Sequence, residues 1–493
     1  MGDVNRTNGG GAGTGTGTGT GTGADVGADA GVGASAGAGT GSGAGSVRGG
    51  GIRGAAGGAN LLALRSHNTA LVLDLLRTAG ARGISRLELA ERTGLTPQAV
   101  SKITARLRDE GLAAEAGRRA STGGKPRTVL RLRPGAGHAV GVHLDRDELR
   151  AVLVDLDGAV VGERRSPLDL GAGAEAVVEA VARVARELVA GTLASPGSDL
   201  SAAPTLLGLG VALPGPLDHV RGVLHRVTGF PEWNGFPLRD ALAGRLGVPV
   251  VVDKDTNAAA LGLAVGLPVG GGGGEGGEGA ERGDAGDRDG DGEGGRAGGG
   301  EGGREGGGAG GEESGEEGAG AGGGAGGGGG GGARGGAGGS FAYLHLGTGL
   351  GAGLVFGGGV HRGARTGAGE FGHQVVQLDG PPCTCGARGC VEALCLGAVA
   401  RGDLAEAARV LGAGAANLVG LLDIDLVLLG GRTVAAAPEA FVHGVGAVLD
   451  ARARREGGHD GAVPVRIAPG GTRAVAEGAA QLLLAPLFGR GDA

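Results

Sequence analysis

VHLDRDELRAVLVDLDG (142–158) alternates apolar and polar residues on either side of a charged tip, the pattern of two antiparallel strands joined by a turn. A turn that opens the first lobe of an α/β domain is often where phosphates bind, and such turns need glycine so that backbone N–H groups can approach the ligand. This tip carries Asp145, Arg146, Asp147 and Glu148 instead.

Outward from the hairpin, composition divides the chain. Of its 493 residues 122 are glycine, and two blocks hold most of them. Residues 1–59 are Gly/Ala/Thr repeats, and residues 270–339 are glycine with scattered acids and a few arginines. Neither block has enough large apolar side chains to offset the entropy of ordering it, so both are expected to be disordered. The rest suits one small domain, residues 60–133, and a larger two-lobed unit made of residues 134–269 and 340–493.

Formal net charge is −7, but its distribution is uneven. Residues 60–133 hold 14 Lys/Arg against 6 Asp/Glu, a net of +8, whereas residues 270–339 hold 14 acids against 5 Arg, a net of −9. A basic domain followed by an acidic tether points to a polyanionic partner for the first. The N-terminal repeats lack the basic start and apolar core of a secretory signal. With no long uninterrupted apolar run, a cytoplasmic protein without a membrane partner is expected.

Within the basic domain Leu71, Val72, Leu75 and Leu76 follow helical spacing. A second helix is expected from Ser85, with Glu88 three residues on completing a capping box, and Gly94 ends it. Thr96 and Pro97 then start a third helix. Ala90, Gly94 and Val100 stand at helix-turn-helix spacing, with Ile103 closing the small core. The third helix presents Thr96, Gln98, Ser101 and Lys102, of which Gln suits adenine and Ser and Lys suit phosphates or base edges. LAAEAG (112–117) and RTVLRL (127–132) read as strands of a wing, with Arg118, Arg119, Lys125 and Arg127 placed for phosphate or minor-groove contact.

All four cysteines lie between positions 383 and 395, too clustered for a secreted disulfide framework. His373, Cys383, Cys385 and Cys390 supply one imidazole and three thiolates, the donor set of a closed structural Zn2+ site, and Cys395 is expected to be a buried helix thiol. PVVVDKDTNAAALGLAVG (249–266) reads as a buried strand, a turn carrying Asp253 and Asp255, and a helix from Thr256. A carboxylate there is well placed to take a proton or bind hydroxyls.

Together these residues resemble the ROK family, named for repressors, open reading frames and kinases. The resemblance rests on the winged helix, ALPGPLD (212–218), WNGFPL (233–238), the D-x-D-x-NA segment at 253–258, GTGLGAG (347–353), AGEFGH (368–373), CTCGARGC followed by VE (383–392), and LVLLGG (426–431). It implies an α/β fold of two actin-like, sugar-kinase-type lobes with a sugar in the cleft, behind an N-terminal winged helix-turn-helix. Asp255 matches the catalytic base of the family's kinases. Asn234, Glu370, His373 and Glu392 match positions that contact sugar hydroxyls, Asp255 lies among them, and His373 with the three cysteines matches the family's zinc ligands.

Two departures bear on activity. Where the kinases carry Asp-x-Gly-Gly-Thr, this chain has His143, Asp145, Arg146 and Asp147 in place of the Asp, the two Gly and the Thr. Like charges about 4 Å apart cost on the order of 4 kcal/mol per pair at an effective dielectric of about 20, so the acids of the tip should repel a polyphosphate. Lys254 also replaces the usual Asn before Asp255. The tether costs little: lengthening a loop from about ten to about seventy residues takes roughly 1.7 kcal/mol.

The resulting expectation is a non-enzymatic, sugar-responsive transcriptional regulator, a repressor, that binds operator DNA as a homodimer or homotetramer and holds structural Zn2+. The alternatives are an ATP-dependent sugar kinase fused to a DNA-binding domain, and a regulator that answers to a protein partner.

Overall fold

The computed structural model describes residues 67–119, 127–193, 205–225, 230–266, 339–457 and 462–490. Most of the two glycine-rich blocks lies outside these residues. The small domain begins with α1 (His67–Ala79), β1 (Ile84–Ser85), α2 (Arg86–Thr93) and α3 (Pro97–Asp109), followed by β2 (Ala113–Arg119) and β3 (Arg127–Leu132). Its local signals act as expected. Ser85 accepts from the Glu88 N–H while Glu88 accepts from the Ser85 N–H, Gly94 ends α2 at φ 69°, and Thr96 caps α3 ahead of Pro97. The three strands form an antiparallel sheet in the order β1-β3-β2.

The first lobe contains β4 (Gly137–Leu144), β5 (Glu148–Asp155), β6 (Val160–Pro167), α4 (Ala174–Leu193) and β7 (Thr205–Leu213). A short hairpin of β8 (Leu217–Asp218) and β9 (Val223–Leu224) leads to α5 (Leu238–Leu246), β10 (Val250–Lys254) and α6 (Asp255–Gly266). The second lobe has β11 (Phe341–Leu346), β12 (Leu350–Phe356), β13 (Gly359–Val360), α7 (Val391–Ala400) and α8 (Leu404–Leu422). It continues through β14 (Leu426–Gly430), α9 (Arg432–Ala436), α10 (Pro438–Arg455) and β15 (Val465–Ile467) to α11 (Ala474–Leu484).

The two five-stranded sheets have matching topologies. In the first, β10-β7-β4-β5-β6, three parallel strands are extended by an antiparallel β5 and β6; in the second, β13-β12-β11-β14-β15, two antiparallel strands flank the parallel set β11, β14 and β15. β4 and β5 are the opening hairpin, paired from His138 with Asp155 to Leu144 with Leu149. Their buried alternation packs against Val177, Val181, Ala185 and Leu188 of α4. Helix α8 is apolar and long enough to cross a membrane by length and composition, yet half of it is buried among α7, α10 and the second-lobe core.

Residues 474–488 follow the second lobe in sequence but lie on the first, with Ala476 and Ala480 against β4 and Ala479 against β7. A Cβ at Gly141 or Gly210 would collide with the carbonyl oxygens of Ala476 or Ala479, so the helix rests backbone to backbone on the sheet. Its far end and the following turn, through Leu483, Leu484, Leu487 and Phe488, share a core with Val72, Leu73 and Leu76 of α1. The winged helix is thereby seated on the first lobe within one compact unit.

Trp233, the only tryptophan, is fully buried; its indole N–H donates to Leu170 O at 3.0 Å and its ring meets Phe236 edge-on at 5.5 Å. Trp233→Ala is expected to lower stability by about 3–5 kcal/mol in urea unfolding followed by far-UV circular dichroism, and a loss under about 1 kcal/mol would contradict this anchoring role.

Candidate functional site

The expected turn carrying Asp253 and Asp255 is absent: β10 ends at Lys254 and α6 begins at Asp255. The reason lies in Asp253, buried in the strand and fully supplied with donors. It accepts from its neighbour's N–H (Lys254, 2.8 Å), from Asn257 Nδ2 at 3.0 Å and from Arg362 Nε at 2.7 Å. Asp255 is left at the helix start, where it accepts from the Thr256 N–H at 2.6 Å. Burial raises the Asp255 carboxyl above its ordinary value, against the opposing pull of His345 and that N–H.

Asp255 lines a cleft with Glu370, His373 and Glu392, the side chains expected around a sugar. Lys254, Arg146, His345 and Thr348 line it too. Glu392 is oriented by the Leu350 N–H at 2.9 Å. The Lys254 ammonium, buried, donates to Ala368 O at 2.5 Å and to Glu370 Oε1 at 3.0 Å, so it occupies one carboxylate expected to meet sugar hydroxyls. Asn234 is not brought in: it is exposed, just after the 3-10 turn Pro231–Trp233, outside the residues that line the cleft.

The acids of the charged tip are each partnered. Asp145 accepts from Thr348 Oγ1 at 2.6 Å, and Asp147 takes Arg432 through both oxygens at 3.0 and 2.9 Å. Glu148 pairs with the buried Arg150 at 2.9 Å, and Arg150 also reaches Glu163 and Thr472. Burial acts to raise Asp145, but the Thr348 hydroxyl, His143, the Arg146 N–H and Arg432 outweigh it and hold the carboxyl below its ordinary value. The first turns of the two lobes are therefore bonded directly to each other. No sequence signal pairs these residues, which stand 203 and 285 positions apart.

The cysteine loop runs from the 3-10 turn Phe371–His373 to Cys390, the residue that precedes α7. Its shape is held by bridges between Val375 and Cys390 and between Pro382 and Arg388. The ligand atoms of His373, Cys383, Cys385 and Cys390 lie within 4.8 Å of one another. Cys383 Sγ is 3.7 Å from His373 Nδ1, and Cys385 Sγ is 3.7 Å from Cys390 Sγ. Tetrahedral Zn2+ with bonds of about 2.3 Å to sulfur and about 2.0 Å to nitrogen places neighbouring ligand atoms roughly 3.5–3.8 Å apart, so the four residues fit a metal. Cys395 stays out of the cluster, buried and directed at Ala407 O at 3.4 Å.

In the small domain Gln98, Ser101 and Lys102 project from α3 into solvent beside its capped start at Thr96. Arg106, further along α3, instead donates to Thr69 of α1 at 2.6 Å and ties the helices together. Arg127 is exposed at the start of β3, and Arg118 and Arg119 fall in β2. Lys125 and the side chains of Arg118 and Arg119 lie outside the described residues.

Strand-for-strand repetition around a cleft, with a winged helix seated on one lobe, defines the class of fold: a winged helix-turn-helix joined to a two-lobed, actin-like domain. The profile of the ROK family matches residues 139–267 and 333–404, and that of a winged helix-turn-helix DNA-binding family matches residues 72–113. Over these segments the chain is similar to the ROK family, with the winged helix-turn-helix match on their N-terminal side. It is 30% identical to the Escherichia coli DNA-binding transcriptional dual regulator NagC over 202 residues, 41% of this chain and 47% of that one. It is 27% identical to the xylose repressor of Bacillus subtilis over 179 residues, 36% of this chain and 44% of that one. The matched region thus spans less than half of each relative. A solved ROK family transcriptional regulator, a homologue of the E. coli MLC protein, shares the fold with a TM-score of 0.58 at 17% identity, over 86% of this chain and 98% of that one.

His143 provides a pH test. It is buried on β4 with its ring 6.2 Å from His345 and is faced by Asp145, Arg150 and Arg432. Burial, and then His345, push its pKa down to about 3, with Asp145 opposing. The unfolded chain, titrating near 6.5, therefore takes up this proton first, and native stability falls as pH drops below about 6.5. His143→Gln is expected to remove about 2 kcal/mol of the stability difference between about pH 7 and pH 5; an unchanged pH dependence would show that His143 is not held neutral.

Proposed function

We propose that this protein is a sugar-responsive transcriptional repressor whose winged helix binds operator DNA and whose cleft senses a carbohydrate without phosphorylating it. The observation that carries the reading is the asymmetry of the cleft. Asp255, Glu392 and His373 converge at one end as hydroxyl-binding groups, whereas at the other Asp145–Thr348 and Asp147–Arg432 join the two lobes where a kinase would cradle a polyphosphate. A sugar hydroxyl needs an acceptor such as the Asp255 or Glu392 carboxylate and a donor such as the His373 imidazole.

In this proposal Gln98, Ser101 and Lys102 read the major groove from α3, and the capped N-terminus of that helix and the wing arginines position the domain on phosphates. Two copies would place recognition helices about one turn of DNA apart, roughly 34–36 Å. The relatives named as repressors support this assignment, and the basic charge of the small domain suits it. His373 with the thiolates of Cys383, Cys385 and Cys390 would hold Zn2+, which pins the loop that also carries Glu370. The protein would act in the cytoplasm as a dimer or tetramer.

A panel of D-xylose, D-glucose and N-acetyl-D-glucosamine, titrated against a DNA duplex selected from a random pool, tests the reading. Sugar should weaken DNA binding, and Glu392→Gln should reduce that response while the sugar-free affinity stays unchanged. Gln98→Ala with Lys102→Ala should lower affinity by about 1–3 kcal/mol for each base edge that is no longer read. Sugar-dependent ADP release from ATP that Asp255→Asn abolishes would instead establish the kinase.

Metal content is checked separately. Purified protein should carry one Zn2+ per chain, and Cys385→Ser should lose it and melt at lower temperature. Metal-free protein of undiminished stability would remove zinc from the proposal.

A further inference from the structure

Arg490 lies beyond the last helix, at a point where three parts of the molecule meet. Its Nε and one terminal nitrogen grip both oxygens of Asp74 on α1, each at 3.0 Å. The other terminal nitrogen donates to Val265 O, in the last turn of α6, at 3.5 Å. That carbonyl is one of the final four of a helix, which have no partner within the helix, and a cation there also meets the negative end of the helix dipole. Asp74 further binds Arg77 at 3.2 Å, and the Arg77 guanidinium lies 4.6 Å over the ring of Phe488. One guanidinium thus holds the first helix of the DNA-binding domain and the end of α6.

The start of α6 is Asp255, in the cleft. Ten residues of helix separate it from Val265, about 15 Å of rigid rod. The rod is gripped on both sides. A Cβ at Gly353 of β12 would strike Thr256 O and the Ala260 methyl, so the second lobe touches the backbone of the first turns of α6. A Cβ at Gly478 of α11 would strike Ala258 O, and one at Gly262 would come within 2.9 Å of Gly478 Cα. With no side chains between these segments to yield, the start of α6 is held against β12 of the second lobe and its middle against α11.

We propose that Arg490 is the coupling residue of the regulator: it transmits the position of α6, set by what occupies the cleft, to α1 and so to the winged helix. This rests on the sugar-responsive reading above and adds the route by which the response reaches DNA. Arg490 touches neither the cleft nor the face of α3 offered to DNA, so it is a positioning residue, and removing it should separate the two binding events without abolishing either.

The test measures DNA affinity with and without saturating sugar, using the selected duplex and the sugar that acts on the unaltered protein, alongside sugar affinity and melting temperature. The ratio of the two DNA dissociation constants, expected between about 5 and 150 in the unaltered protein, should fall below about 2 in Arg490→Ala while sugar affinity stays the same. Asp74→Arg combined with Arg490→Asp separates coupling from docking. It restores an ion pair to α1, at the loss of the Asp74–Arg77 pair, and leaves Val265 O without a donor, so it should still respond weakly whatever its melting temperature. Recovery of the full response in that double variant, or an unchanged ratio in Arg490→Ala, overturns the proposal. If Arg490→Ala does not fold, the double variant alone decides. If the unaltered protein binds DNA but answers to no sugar in the panel, the functional reading fails and this coupling falls with it, a result distinct from a sugar response that survives the variants.

Discussion

Contact between backbones, made where side chains are missing, is the constraint on which the rest of this structure depends. α11 lies on β4 and β7 at Gly141 and Gly210, and α6 lies on α11 at Gly262 and Gly478, each with room for no Cβ. Such contacts fix both distance and register, because a methyl group on either side would force the segments apart. With α11 held in this way, its far end forms the seat for α1 through Leu483, Leu487 and Phe488. The same packing fixes the direction of α6 and hence where Asp255 enters the cleft.

Charge is handled differently at the two ends of that cleft. Asp253 is sealed by Arg362, and Glu370 is occupied by Lys254, so two carboxylates near Asp255 are already compensated. Asp255 itself is driven toward its neutral form by burial. In the proposed reading such an environment would take an uncharged polyhydroxylated ligand, for which hydrogen-bond geometry counts for more than net charge. At the other end the acids of the opening hairpin serve as ligands for Thr348 and Arg432 of the second lobe. The charged tip of the opening hairpin thus forms a polar joint between the lobes.

What was legible in the chain was local. The capping box of Ser85 and Glu88, the left-handed Gly94 and the Thr96 cap each involve residues within one helical turn, so type and spacing suffice to predict them. The His/Cys cluster was legible for the same reason: His373, Cys383, Cys385 and Cys390 lie on one loop whose bridges bring them together. The hairpin at 142–158 followed from its two-residue alternation. Asn234 and the segment 253–255 show the limit even at short range, since exposure of the first and the continuity of strand and helix in the second depend on packing from elsewhere.

By itself, then, the sequence determined the helix caps, the strand alternation, the basic winged helix and the clustering of one histidine with three cysteines on one loop, because each is encoded by the order of neighbouring residues. Tertiary structure alone decided that Lys254 occupies Glu370, that Asp147 meets Arg432, and that Arg490 reaches Asp74 across 416 positions. These are pairings of common surface residue types with many equivalents along the chain. Their partners are selected only when the two sheets, α6 and α11 have packed, since hydrogen bonds and ion pairs act over a few ångströms and carry no mark in the sequence of which distant residue will be brought near.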